Sequence, residues 1–172
     1  MNDFLHIFDF DYTLYETFEL INIWSPRGDS LCDEKPCFKV NPSDYHHFNF
    51  GIDEYVNKDS FNNFNNVNWL KAKPILPTLQ IFELVKNKII LTARPQSAEK
   101  SIRQKLPGDY KLYGLGDGDA SSKIDFIKNL NSKNLIIYED SQSVIDLCNE
   151  NSINNVKVSK HKNKTDLKYT FY

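Results

Sequence analysis

The second half of this chain alternates regularly between strand-like and helix-like segments, and few folds accommodate that pattern. Lys88 to Leu91 is an apolar, β-branched run that ends at Thr92. Pro95 to Leu106 then reads as a helix, stopped by Pro107-Gly108. Lys111 to Leu115 is the next strand, and Gly116 to Gly118 a turn. Ser121 to Leu130 reads as a helix with Ile124, Ile127 and Leu130 on one side, followed by the strand Leu135 to Tyr138. Val144 to Asn151 and Val156 to Val158 repeat the pair. Upstream, Phe4 to Phe8 is a buried strand, and Pro77 opens a helix striped by Leu79, Phe82 and Val85. Such alternation predicts a doubly wound, Rossmann-like parallel α/β sheet, whose ligands bind beyond the carboxyl ends of the strands.

The 172 residues suit a single domain, 1–172. Residues 15–73 break the pattern, mixing aromatics with Asn, Asp, Pro and Gly, and read as a small irregular insertion. Within it, Phe61, Phe64 and Val67 are spaced as one helical face. No apolar run approaches the ~20 residues that span a bilayer, so no membrane partner is expected. The start, MNDFLHIFDFD, lacks a signal peptide's basic region and cleavage site, which predicts a cytoplasmic location. Cys32, Cys37 and Cys148 are then expected as reduced thiols. A net charge of −2 announces no overall basic field for nucleic acid. Nothing in the composition specifies an oligomeric state.

Chemistry-bearing residues gather at the predicted strand ends. Asp9 and Asp11, two apart on an extended chain, point the same way. Their mutual repulsion is relieved by a cation, and Mg²⁺ with its oxygen ligands is the natural one. Thr92 follows one strand, Glu139 and Asp140 another, and Lys123 sits near the start of a helix.

Together, Asp9-Phe-Asp11-Tyr-Thr13, Ile89-Ile-Leu-Thr92, Asp119-Ala-Ser-Ser-Lys123 and Leu135-Ile-Ile-Tyr-Glu139-Asp140 resemble, in order, the four motifs of haloacid dehalogenase (HAD) superfamily phosphatases. The resemblance implies that Asp9 is a nucleophile and Asp11 a general acid/base. Thr92 would bond the transferred phosphoryl group, Lys123 offset its charge, and Thr13 lie on the substrate side. Metal ligation by Asp140 and Glu139, with Asp9 and Asp11, is implied too, with Asp146 in reserve. The position of Tyr12 is often Gly in that family. Arg94 and Asp119 resemble features of polynucleotide 3′-phosphatases, which implies substrate contacts. Read from the residues alone, Thr92 and Asp119 are equally helix caps, and Arg94 a surface charge.

The expected activity is Mg²⁺-dependent hydrolysis of a phosphate monoester through an aspartyl-phosphate. Nucleic-acid 3′-phosphate ends, free nucleotides and small metabolite phosphates are the candidate substrates. A catalytically inactive binding module of the same fold is the alternative of another class. Trp24, Tyr45, Phe48, Phe50, Phe61, Phe64 and Trp69 either stack on bases or form the insertion's own core. Cys32 and Cys37 with His46 and His47 have unusual spacing for structural zinc. The tail from Ser159, with its lysines, reads as a solvated terminus that is otherwise suited to nucleic acid.

Overall fold

The computed structural model describes residues 4–45, 48–56, 58–132, 134–161 and 164–172. In chain order the elements are β1 (Leu5–Phe8), β2 (Tyr15–Glu16), β3 (Ile21–Trp24), β4 (Ser30–Cys32), β5 (Lys35–Val40), α1 (Pro42–Tyr45) and β6 (Tyr55–Val56). A 3₁₀ helix, Lys58–Asn65, precedes β7 (Lys73–Pro74), α2 (Leu76–Leu84) and β8 (Lys88–Thr92). A 3₁₀ turn, Gln96–Ala98, runs into α3 (Glu99–Arg103), then β9 (Lys111–Gly114) and α4 (Ala120–Asn129). The chain ends with β10 (Leu135–Glu139), α5 (Gln142–Glu150), β11 (Asn155–His161) and β12 (Lys164–Thr170).

The fold is mixed α/β. Six strands form one sheet in the order β12-β11-β10-β1-β8-β9, parallel except for the antiparallel β11–β12 pair. Strand β1 is central and buried on both faces because its side chains alternate. Phe8 joins Ile90, Tyr138, Phe82 of α2 and Ile102 of α3 in one cluster. Ile7 joins Ile89, Ile137, Ile124 and Ile127 of α4, and Val144 and Cys148 of α5 in the other. Rings dominate the first cluster: Phe8 stacks on Tyr138 at 4.3 Å and meets Phe82 edge-on at 5.2 Å.

The described residues of the insertion form regular elements, contrary to the irregular structure expected. It holds a four-stranded antiparallel sheet, β4-β5-β3-β6. Alternation was hidden because these strands are short and joined by tight turns. Asp33 and Glu34, with φ of 47° and 66°, make the β4–β5 turn. Gly28 is obligatory nearby, since a Cβ there would lie 2.3 Å from the Cys37 nitrogen. A second small sheet pairs β2 with β7, so the insertion begins and ends side by side. Phe61 and Phe64 fall on a 3₁₀ helix, whose three-residue turn puts i and i+3 on one face.

Four other expectations change. Cys32 and Cys37 are joined in a disulfide across the β4–β5 hairpin, with a Cα–Cα distance of 5.8 Å, and pack with Trp24; they are not reduced thiols. That pairing removes both cysteines from any zinc site, and His46 and His47 lie outside the described residues. The helix after Pro95 is shorter than expected, a 3₁₀ turn and five residues of α3. The tail is not a loose terminus, because β12 pairs with β11 along seven residues and Leu167 packs on the core.

Arg27 and Glu54 fasten the inserted sheet. Glu54 accepts from Ser25 Oγ at 2.6 Å, Arg27 Nη2 at 2.6 Å and the Gly51 N–H at 2.6 Å. These donors, Ser25 first, pull its carboxyl down to about 2 from an ordinary 4.5. A depressed folded-state value stabilises the fold above the unfolded value, and that contribution is lost as pH falls through the folded one. Hydrogen exchange should therefore show β3 and β6 amides losing protection between about pH 4.5 and 2. In Glu54→Gln this acid-dependent loss should be smaller; an unchanged profile would refute the assignment.

Candidate active site

Three neighbouring parallel strands, β10, β1 and β8, end together at one edge of the sheet. Asp9 follows β1, Glu139 closes β10 with Asp140 after it, and Thr92 closes β8. Ligand-bearing oxygens of Asp9, Glu139 and Asp140 all lie within 4.8 Å of one another. Asp9 and Glu139 are buried and Asp140 is partly so.

Lys123 enters this acidic cluster from the first turn of α4. Its buried ammonium donates to Asp9 Oδ1 at 2.8 Å and to Glu139 Oε2 at 2.7 Å. The other Glu139 oxygen accepts the N–H groups of Asp140 and Ser141 at 3.1 and 3.0 Å. Three carboxylates against one ammonium leave the cluster two negative charges in excess when all are ionised. Burial, then the Glu139 charge, pushes the Asp9 carboxyl up to about 8, against the pull of Lys123. Burial and the charges of Glu139 and Asp9 likewise raise Asp140. Lys157 donates to the Asp140 carbonyl, which brings a second ammonium to the rim. An all-oxygen donor set short of positive charge suits a hard divalent cation.

Asp11 lies outside that cluster, contrary to its expected place among the metal ligands. Arg94 takes it instead: Nε donates to Oδ2 at 2.9 Å and Nη2 to Oδ1 at 2.7 Å. Thr17 Oγ1 donates to Oδ1 as well. Arg94 is only 2 % exposed and spends every N–H of its guanidinium. Nη2 also reaches Glu19 Oε2 at 2.8 Å, and Nη1 reaches the Phe64 and Asn66 carbonyls at 3.2 Å. The rings of Phe10 and Phe64 lie 5.6 and 5.5 Å from it. It is therefore neither a surface charge nor a free fork for substrate; it joins the insertion to the sheet.

Thr92 is buried and its Oγ1 accepts the Arg94 N–H at 3.2 Å, with its own proton uncommitted among the described residues. Thr13 is also buried, and its hydroxyl has no partner among the described residues. Asp119 is exposed and caps α4 by accepting from the Ser121 N–H at 2.9 Å, so its carboxylate serves the helix. Asp146 faces solvent and bonds Gln142, away from the cluster. Most of the insertion's aromatics pack on one another. Tyr45 meets Phe50 and Phe61, Phe48 meets Phe38 and Phe50, and Trp69 meets Tyr15 and Phe10. The tail lysines are largely engaged too, Lys160 with Glu16 and Lys164 with Asp166.

Glu19 and Thr17 went unread in the sequence. Both lie in the insertion, and Glu19 meets its partner 75 residues away. No local pattern signals such a pairing. Tyr12 shows the reverse case. Its φ of 56° is left-handed, a conformation that glycine adopts without strain.

The chain matches no protein-family model, no curated protein and no solved structure.

Two stability tests follow from this geometry. Arg94→Met strands two carboxylates, one of them almost wholly buried, and should destabilise the protein by about 3–5 kcal/mol in denaturant unfolding. Adding Glu19→Met should recover part of that loss; simple additivity would argue against the pairing. At position 12, Gly should be more stable than Ala by about 1 kcal/mol, because only Gly adopts a left-handed φ without strain.

Proposed function

We propose that this protein is a phosphomonoesterase of the haloacid dehalogenase kind, working with Mg²⁺ and through an aspartyl-phosphate on Asp9. One observation carries the reading. A buried aspartate, paired to a lysine, stands beside two further acids at the carboxyl edge of a parallel sheet. A doubly wound arrangement of the HAD type is supported by helices lying against both faces of that sheet.

The residues fit a divalent cation, as the charge excess and oxygen donors indicate. Asp9, Glu139 and Asp140 would hold it, and it would supply positive charge to the phosphoryl oxygens. The chain's own groups do the rest. Lys123 neutralises charge at Asp9 and has a third N–H left for a phosphoryl oxygen. The Thr92 hydroxyl proton is free to donate to another. An Asp9 carboxylate oxygen attacks phosphorus as the ester P–O bond breaks, and Asp11 gives its proton to the leaving oxygen. Asp11 then takes a proton from water, whose oxygen attacks the phosphorus and releases phosphate and Asp9. Thr17 and Arg94 Nη2 hold Asp11 through Oδ1, and Oδ2, which meets only Arg94 Nε among the described residues, would carry the proton that Asp11 gives and regains; the side chain's 25 % exposure leaves it reachable. Catalysis in this scheme is mostly positioning and charge neutralisation.

The grounds for polynucleotide ends narrow, since Arg94 is engaged and Asp119 caps a helix. An inactive module of this fold is disfavoured by the energetic penalty of burying two acids beside a third with no task.

Hydrolysis of an aryl phosphate tests the reading. Activity should vanish with EDTA and return with Mg²⁺. Asp9→Asn should lower turnover by at least about 10³-fold while the variant stays folded by circular dichroism. Near-parental turnover in Asp9→Asn would end the proposal.

A further inference from the structure

A groove of about 480 Å³ opens in the insertion, outside the carboxylate cluster. Its volume falls in the ~300–1,000 Å³ range of small-molecule sites. The lining is distinctive. Asn22, Asn63, Asn66 and Asn68 bring carboxamides, Phe18 brings a ring, and Lys39 is the basic residue among the lining groups.

The groove is tied to Asp11 by two routes. Thr17 donates to Asp11 Oδ1, and the next residue, Phe18, lines the groove. Glu19 lines it too and shares Arg94 Nη2 with Asp11. The other Glu19 oxygen accepts the Asn68 N–H at 2.8 Å. The groove wall and the Asp11 carboxylate are thus one hydrogen-bonded unit. Asp11 is the group that protonates the leaving oxygen in the proposed reaction, so the leaving group departs on this side.

The chemistry of the lining bears on the leaving group. A carboxamide carries a donor and an acceptor in one plane, and several of them suit a neutral ring whose edge alternates donors and acceptors. Phe18 is 38 % exposed, and although the Lys73 ammonium stands over its ring at 5.8 Å, the exposed remainder offers apolar surface for stacking. The one acid in the lining, Glu19, spends one carboxylate oxygen on Arg94 and the other on the Asn68 N–H, so the groove does not call for a cation. A nucleobase meets these requirements together.

We propose that the groove is a nucleoside subsite. The phosphomonoester would carry its base against Phe18 among the asparagine carboxamides, with its phosphate on the Asp9 side. This rests on the phosphatase reading and narrows its substrate to a nucleoside phosphate, free or at a chain end.

The test pairs binding with turnover. Adenosine and uridine, lacking phosphate, are titrated into the parent, Phe18→Ala and Asn63→Ala, followed by NMR. Turnover is compared on a mononucleotide, a 3′-phosphorylated oligonucleotide, glucose 6-phosphate and an aryl phosphate. At least one nucleoside should bind the parent and bind Phe18→Ala at least about tenfold more weakly, with a smaller loss in Asn63→Ala. The ratio of nucleotide to aryl phosphate kcat/KM should fall about tenfold in Phe18→Ala. Preference for the mononucleotide or for the oligonucleotide supports the subsite and tells which source supplies it. No nucleoside binding, a preference for glucose 6-phosphate, or an unchanged ratio in Phe18→Ala overturns it. If aryl phosphate turnover is absent while nucleosides bind through Phe18, the phosphatase reading falls and the nucleoside site stands.

Discussion

The Lys123 ammonium, buried between Asp9 and Glu139, is the interaction on which the site depends. Parallel pairing of β1 with β10 forces their carboxyl ends together, and each end is acidic. Without a cation between them those ends would repel in a region of low dielectric. Lys123 stands in the first turn of α4, where the helix dipole disfavours positive charge. The two carboxylates outweigh that penalty. The Asp119 cap and the turn before it therefore matter to the site indirectly, because they set where α4 starts.

A second buried cation divides the work. Asp9 and Asp11 are close in sequence, and each has its own counter-charge, Lys123 for one and Arg94 for the other. That division lets both acids sit near the end of one strand without facing each other across the same space. It also makes the insertion part of the site, because Arg94 is coordinated by Glu19 and by carbonyls at Phe64 and Asn66.

Much of the central sheet was legible in the sequence because its signal is local. Apolar runs at Phe4 to Phe8, Lys88 to Leu91 and Leu135 to Tyr138 read directly as strands, within a residue of β1, β8 and β10 at each end, and the acids, threonine and lysine near those ends stood out by position. What stayed hidden depends on distant partners. Arg94 looks like any arginine until Asp11 and Glu19 arrive from elsewhere in the chain. The inserted strands are short, and their alternation is broken by turns at Asp33 and Glu34. The polar β12 is a strand because it adds to an existing edge, not because its own pattern demands one. The disulfide needed two hairpin strands in register before its cysteines could be seen as neighbours.

The pairing of β2 with β7 has a consequence for how such a protein diversifies. Tyr15 lies opposite Pro74 and Glu16 opposite Lys73, so the insertion leaves and rejoins the scaffold as two adjoining chain ends. Closing a longer or shorter loop across that junction changes the entropy little. By that measure one insertion is exchangeable for another. Arg94 restricts the exchange, because a foreign segment that closes neatly at the junction still leaves a guanidinium buried without Glu19 and the two carbonyls. Successful grafts would have to bring an acid and a pair of free carbonyls to the same spot, or replace the arginine with them.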